Sequence, residues 1–254
     1  MKIESYGISN VGMKRNQNED SYLINDEMGL YMVADGMGGH LGGEYASKLA
    51  VSTVEDVLRN LRFDPDATQI RGVNEEDSDP GNQLSHAIRE AGRRIHDQAL
   101  FDENLRGMGT TAVAVLFQSP YLYIANVGDS RAYLVRNGKI EQVTEDHSLV
   151  SEQVKAGMIS ASDARGHKLK NIITRSVGYQ EEVDCDVVRR EAKHGDKLLL
   201  CSDGLSNLVE DSEIEQIIEK YDLHEACEKL VNSANSRGGD DNITVVILQV
   251  DDIP

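Results

Sequence analysis

Residues 110–143 read TTAVAVLFQSPYLYIANVGDSRAYLVRNGKIEQV. Four segments, 110–117, 122–127, 131–135 and 139–143, are dense in β-branched and aromatic residues and read as short strands. Between them stand the turn signals Ser119–Pro120, Gly128–Asp129 and Asn137–Gly138. Asn–Gly is a strong hairpin cue, because a tight two-residue turn needs positive φ at both positions. The spacing predicts consecutive strands folded back on one another. A hairpin bend is then the plain structural role of Gly128–Asp129.

Outward from this block the same reading continues. KIESYGIS (2–9), SYLIN (21–25) and GLYMVAD (29–35) precede it as strands; 183–189, 197–202 and NITVVILQV (242–250) follow it. A helix is predicted from about Gly43, where Ala46, Leu49, Ala50, Thr53, Val54, Val57, Leu58 and Leu61 recur at steps of three and four. Leu84, Ala87, Ile88, Ala91 and Ile95 mark a second helix. Further helices are expected at 148–157, at 211–220 with Asp211 or Ser212 as cap, and at 223–236. Residues 63–80 carry two prolines and many acids and read as an exposed loop; 157–170 are polar and read as a flap.

Because the helices come grouped and do not alternate with strands, βαβ units are not expected. The pattern predicts an α+β chain: two mainly antiparallel sheets with helices on their outer faces. No repeat or linker interrupts it, so residues 1–254 read as a single domain.

Composition narrows the function. A net charge of −18 argues against nucleic acid as a partner, and no strongly basic stripe marks an anionic membrane site. Cys185, Cys201 and Cys227 are far apart and form no CxxC pair, so neither a disulfide framework nor a thiolate zinc site is expected. With no apolar run approaching ~20 residues and no signal-like start, the expectation is a soluble, cytoplasmic protein.

Six acids are placed where turns can aim them together: Glu19, Asp20, Asp35, Asp129, Asp203 and Asp241. Each is close to Gly, Asn or Ser, and most stand at a strand end. Each alone can be a turn or cap residue. Together they suggest an oxygen-ligand cage for Mg²⁺ or Mn²⁺. Two bare carboxylates ~4 Å apart repel by ~4 kcal/mol at an effective dielectric of ~20. Such a cluster must bind cations, take up protons or spread apart.

Other hydrolase chemistries lack their parts. There is no GxSxG, HExxH, GxxxxGKS/T or GxGxxG motif, and no Cys is followed by an Arg six positions on. Metal-assisted hydrolysis remains, in which two ions ~3.5–4 Å apart activate a water for in-line attack on phosphorus. Asp35–Gly36 suits a bridging position, since Gly36 lets its own carbonyl approach an ion. Arg15 is the candidate phosphate grip, with a surface ion pair as its alternative. His147, alone before a helix, reads as a capping or packing residue.

The motifs RNQNED (15–20), VADGMGGH (33–40), GMGTTAV (107–113), NVGDSRAYL (126–134), LLCSDGL (199–205) and GGDDNITV (238–245) occur in an order and spacing that resembles the metal-dependent protein serine/threonine phosphatases, the type 2C or PPM family, in its bacterial branch. The resemblance runs from about residue 3 to 250. It implies a four-layer αββα sandwich, two sheets between helix pairs, with a dimetal site at one end. It implies Asp35 as bridging ligand, Gly36 as a carbonyl ligand, and Asp203 and Asp241 on the first ion. Glu19 and Asp20 would act through metal-bound water, Arg15 would hold the phosphate, and Asp129 would hold a third, weaker ion beside Asp203. Asn171 is a flap-side contact by the same resemblance.

Eukaryotic members carry a His directly after the Asp–Gly pair; here that position is Met37. His40, the nearest histidine, is then the candidate general acid, or a cap of the following helix.

The expected function is hydrolysis of phosphoserine and phosphothreonine on proteins by a dimetal-activated water. The expected partners are phosphoproteins and a bacterial-type Ser/Thr kinase that the enzyme opposes, and the expected state is a monomer. Two alternatives are a phosphatase dedicated to one small regulatory protein of the anti-sigma antagonist type, and a catalytically silent binding module. The silent module predicts a lost cage residue, and none is lost.

Overall fold

A computed structural model describes residues 3–38, 41–63, 79–160, 163–164 and 166–251. Most of the loop read at 63–80, from 64 to 78, lies outside the described residues, as do 161, 162 and 165 of the flap.

The strands are β1 (Ile3–Asn10), β2 (Asp20–Asn25), β3 (Leu30–Met37), β4 (Gly109–Thr110), β5 (Ala112–Gln118), β6 (Tyr121–Val127), β7 (Arg131–Val135), β8 (Ile140–Gln142), β9 (Asp186–Glu191), β10 (Lys197–Cys201) and β11 (Ile243–Val250). The helices are α1 (Gly42–Phe63), α2 (Pro80–Phe101), α3 (Leu149–Lys155), α4 (Asp203–Ser206), α5 (Asp211–Lys220) and α6 (Leu223–Ser236). One sheet has the order β1-β11-β10-β7-β8, the other β2-β3-β5-β6-β9 with β4 paired to β3, and every pairing is antiparallel.

Strand alternation builds the layers. In β3, Tyr31 and Val33 point to the other sheet, where Ala132, Leu134, Leu198, Leu200, Val246 and Leu248 meet them. Leu30, Met32 and Ala34 point the opposite way, against Ala46, Ala50 and Val54 of α1 and Leu84, Ile88 and Ala91 of α2. In β10, Leu199 and Cys201 face outward onto Ile214 and Ile218 of α5 and Cys227 and Leu230 of α6. Three apolar interfaces therefore separate four layers, helices–sheet–sheet–helices. Strands buried on both faces explain why these segments read as continuous apolar runs.

The hairpins predicted at Ser119–Pro120 and Asn137–Gly138 form: β5 pairs β6 and β7 pairs β8. Asn137 and Gly138 have φ of 54° and 65°, as a primed turn demands. The bend at Gly128–Asp129 is different. β6 and β7 lie in different sheets, so this connection crosses between them and is no hairpin. Gly128 takes φ 105°, and a Cβ there would sit 2.6 Å from the Thr111 side chain. The cap of α5 is Glu210, whose side chain makes no capping bond to the first turn, in place of Asp211 or Ser212. α3 is capped by the Ser148 hydroxyl, and His147 beside it is buried. Among the described residues no helix is long and apolar enough to cross a membrane.

Candidate metal centre

The acids come from five places in the chain, at or near the ends of β2, β3, β6, β10 and β11. Asp20 opens β2 and lies opposite Asp35 near the end of β3. The Asp35 backbone is held by three bonds. Its N–H donates to Thr111 Oγ1 (2.9 Å), and its carbonyl accepts from the Thr111 N–H (2.8 Å) and from Thr110 Oγ1 (2.9 Å). Gly36 follows because nothing larger fits: a Cβ there would meet the Gly43 carbonyl oxygen at 2.1 Å and that of Glu19 at 2.5 Å. Gly204 is excluded from change in the same way, with the Asn242 carbonyl 2.0 Å from where its Cβ would stand. That contact locks the Asp203–Gly204 turn onto the Asp241–Asn242 turn.

Asn242 ties the remaining pieces. Its amide donates to the carbonyls of Val11 and Gln17, both at 2.9 Å, and its oxygen accepts the Glu19 N–H at 2.8 Å. Asp20 is buried, and its Oδ2 accepts from Ser202 (2.8 Å) and Thr244 (2.7 Å). Its Oδ1 is buried with no partner; so is Oδ1 of Asp203, whose Oδ2 accepts from Asn207 at 2.8 Å. An orphaned buried carboxylate oxygen is costly.

The electrostatics show how close the cluster is. Burial raises the Asp35 carboxyl well above its ordinary value, and the charges of Asp20, Asp203, Asp129 and Asp241 add to it. Asp129 is raised by burial and then by Asp203 and Asp146. Asp203 is raised to about 6, chiefly by burial and then by Asp241, against the pull of Lys170. Glu19 is raised by burial, which Arg15 opposes. Among the described residues, however, no three His, Cys, Asp or Glu side chains converge closely enough to grip an ion as they stand. Asp241 is turned toward Arg15, whose Nη2 lies 2.7 Å from its Oδ2.

Asp129 and Asp203 also share a cavity of 460 Å³ with Arg131, Asp146, Ala164, Gly166 and Lys170. This brings the third-ion candidate, Asp203 and the flap together. Asn171 is exposed and is not among the lining residues; its neighbour Lys170 is. His40 lies outside the described residues. Sequence reading missed Ser202, Thr244, Thr110, Thr111 and Lys170. Hydroxyls and a lone lysine carry no local signal of what they will touch.

A family model described as Protein phosphatase 2C matches residues 8–243. The chain belongs to that family. The serine/threonine phosphatase stp of Listeria monocytogenes is 39% identical over 244 residues, 94% of this chain and 93% of the relative. The crystal structure of the serine/threonine phosphatase PstP/Ppp of Mycobacterium tuberculosis superposes with a TM-score of 0.87 at 34% identity, covering 98% of this chain and 99% of that one. The catalytic domain of PstP in complex with 2 manganese ions gives a TM-score of 0.84 at 34% identity, with the same coverage.

This type 2C phosphatase is thus a protein serine/threonine phosphatase of the bacterial kind, a hydrolase acting on phosphoproteins. The side chains gathered here are carboxylates, an all-oxygen chemistry that suits Mn²⁺ or Mg²⁺ and not a soft metal. The two orphaned oxygens fit ions of this type.

Proposed function

We propose that this phosphatase works through two Mn²⁺ or Mg²⁺ ions held by Asp35, the Gly36 carbonyl, Asp203 and Asp241, with Glu19 and Asp20 acting through water. The observation that supports this most is the pair of buried, partnerless oxygens, Asp20 Oδ1 and Asp203 Oδ1, in a cluster of mutually repelling acids. Ions of this kind lower the pKa of a bound water and polarise phosphoryl oxygens. The chain's own residues do the rest. The Thr110–Thr111 bonds fix the Asp35 backbone, so that its carboxylate is presented without a search. The Ser202 and Thr244 hydroxyls hold Asp20 in one rotamer. Arg15, exposed at the lip, offers a guanidinium fork that fits two phosphate oxygens. Its bond to Asp241 shows that it reaches the cluster. Asp129 holds a weaker third ion at the mouth of the cavity it shares with the flap residues Ala164, Gly166 and Lys170.

The partners are phosphoserine and phosphothreonine proteins, including a Ser/Thr kinase and its substrates. The experiment is hydrolysis of p-nitrophenyl phosphate and a phosphothreonine peptide, with Mn²⁺ binding followed by calorimetry. Turnover is expected to vanish in EDTA and to return with Mn²⁺. Asp35→Ala is expected to lose both ion binding and turnover. Full turnover in excess chelator refutes the dimetal reading.

A further inference from the structure

His147 is buried between the metal end and the flap, and every polar atom of its ring is committed. Its Nδ1 lies 3.1 Å from the Gly128 backbone nitrogen. A backbone N–H only donates, so Nδ1 carries the lone pair and Nε2 carries the proton. That Nε2 lies 3.0 Å from Asp186 Oδ2 and 3.3 Å from Arg175 Nη1, while Arg175 Nη1 donates to Asp186 Oδ1 at 2.9 Å. Asp186 therefore fixes the tautomer, and Arg175 holds Asp186. Burial works to raise the Asp186 carboxyl, but the bonds from His147 and Arg175 outweigh it and hold it below its ordinary range.

The backbone of the same residue repeats the connection. The His147 N–H donates to the Gly128 carbonyl (2.9 Å), and its own carbonyl accepts the Thr174 N–H (2.8 Å). Next to it, the Leu149 N–H donates to the Ile172 carbonyl (2.8 Å). Val177, at the end of this return segment, exchanges N–H···O bonds with Thr110, whose hydroxyl holds the Asp35 carbonyl. His147 thus bonds through Nδ1 to the turn that presents Asp129, through Nε2 to Asp186, which Arg175 of the returning chain also holds, and through its own carbonyl to Thr174 of that chain.

We propose that His147 is a positioning residue that couples the Gly128–Asp129 turn to the flap's return segment, with Asp186 and Arg175 setting its tautomer. These contacts are made by the chain's own residues; their consequence for turnover rests on the role proposed for Asp129. A packing histidine would need neither the carboxylate nor the arginine. Here both lie at the surface end of the contact, where removing them leaves the buried core in place.

Amide hydrogen exchange on the metal-free protein tests the coupling directly. In Asp186→Ala and Arg175→Ala, exchange at Gly128, Thr174 and Val177 is expected to rise about tenfold or more, with the β5 and β10 amides unchanged. His147→Asn places an amide oxygen where Nδ1 stands but cannot reach Asp186. It is expected to keep protection at Gly128 and lose it at Thr174, whereas His147→Ala loses both. Turnover of a phosphopeptide should fall in the same order as protection at Gly128 is lost.

Unchanged protection at Gly128 in both Asp186→Ala and Arg175→Ala overturns the proposal. So does a rise spread evenly over the core, the signature of lost packing alone. If the exchange pattern appears but calorimetry detects no Mn²⁺ uptake, the coupling stands and the metal reading falls.

Discussion

Replacing Asp20 by Asn should stabilise the metal-free enzyme, although it removes a group from the working site. Asp20 is 7% exposed, and burial drives its carboxyl from 3.8 up to about 7 despite the Thr244 and Ser202 hydroxyls that pull it down. The native state therefore keeps a proton that the unfolded chain releases between about pH 4 and pH 7. Stability contributed by this group is full below 3.8 and is lost as the pH rises through about 7. At ~1.4 kcal/mol per pH unit the whole gap is worth ~4 kcal/mol above pH 7.

Asn keeps an oxygen for both hydroxyls but leaves its NH₂ where Oδ1 now stands without a partner, which takes back ~1–3 kcal/mol. A net gain of ~1–3 kcal/mol remains, or roughly 3–10 °C in melting temperature for a chain of this size. Thermal melts in EDTA at pH 8 and pH 5 measure it. The gain should be present at pH 8 and shrink at pH 5, and added Mn²⁺ should stabilise the wild type more than the variant. A variant equally stable with wild type at pH 8, or less stable, refutes the strained-carboxylate account.

Gly204→Ala puts a Cβ 2.0 Å from the Asn242 carbonyl; thermal melts should show a loss of several kcal/mol, with Mn²⁺ affinity falling as the Asp241 turn is pushed away. Arg15→Ala should raise KM for phosphopeptide more than it lowers kcat and leave calorimetric Mn²⁺ binding intact; equal loss of metal binding would make Arg15 a structural residue. Asp129→Ala should cut phosphopeptide turnover sharply while the two tight ions are retained and the melting temperature does not fall, because its carboxylate is raised by burial and by Asp203 and gives the fold no support.

The features legible in the chain alone were local. The alternation in β3 and β10, the three-and-four spacing in α1 and α2, and the Asn137–Gly138 turn are short-range patterns, and each formed where it was read. The acids were legible for a related reason: an Asp beside Gly or Asn at a strand end is a local arrangement. Tertiary structure decided what depends on distant partners. Whether β6 and β7 pair or part at Gly128–Asp129 was settled by sheet order, since β10 claims one edge of β7 and β9 one edge of β6. The hydroxyls that hold Asp20 lie 182 and 224 positions away along the chain. The shared cavity of Asp129 and Lys170, and the placement of His147 against Gly128, Asp186 and Arg175, arise the same way. A side chain's type is written in the sequence, but the groups that fix its rotamer and tautomer or perturb its charge are assembled only when separate strands close over it.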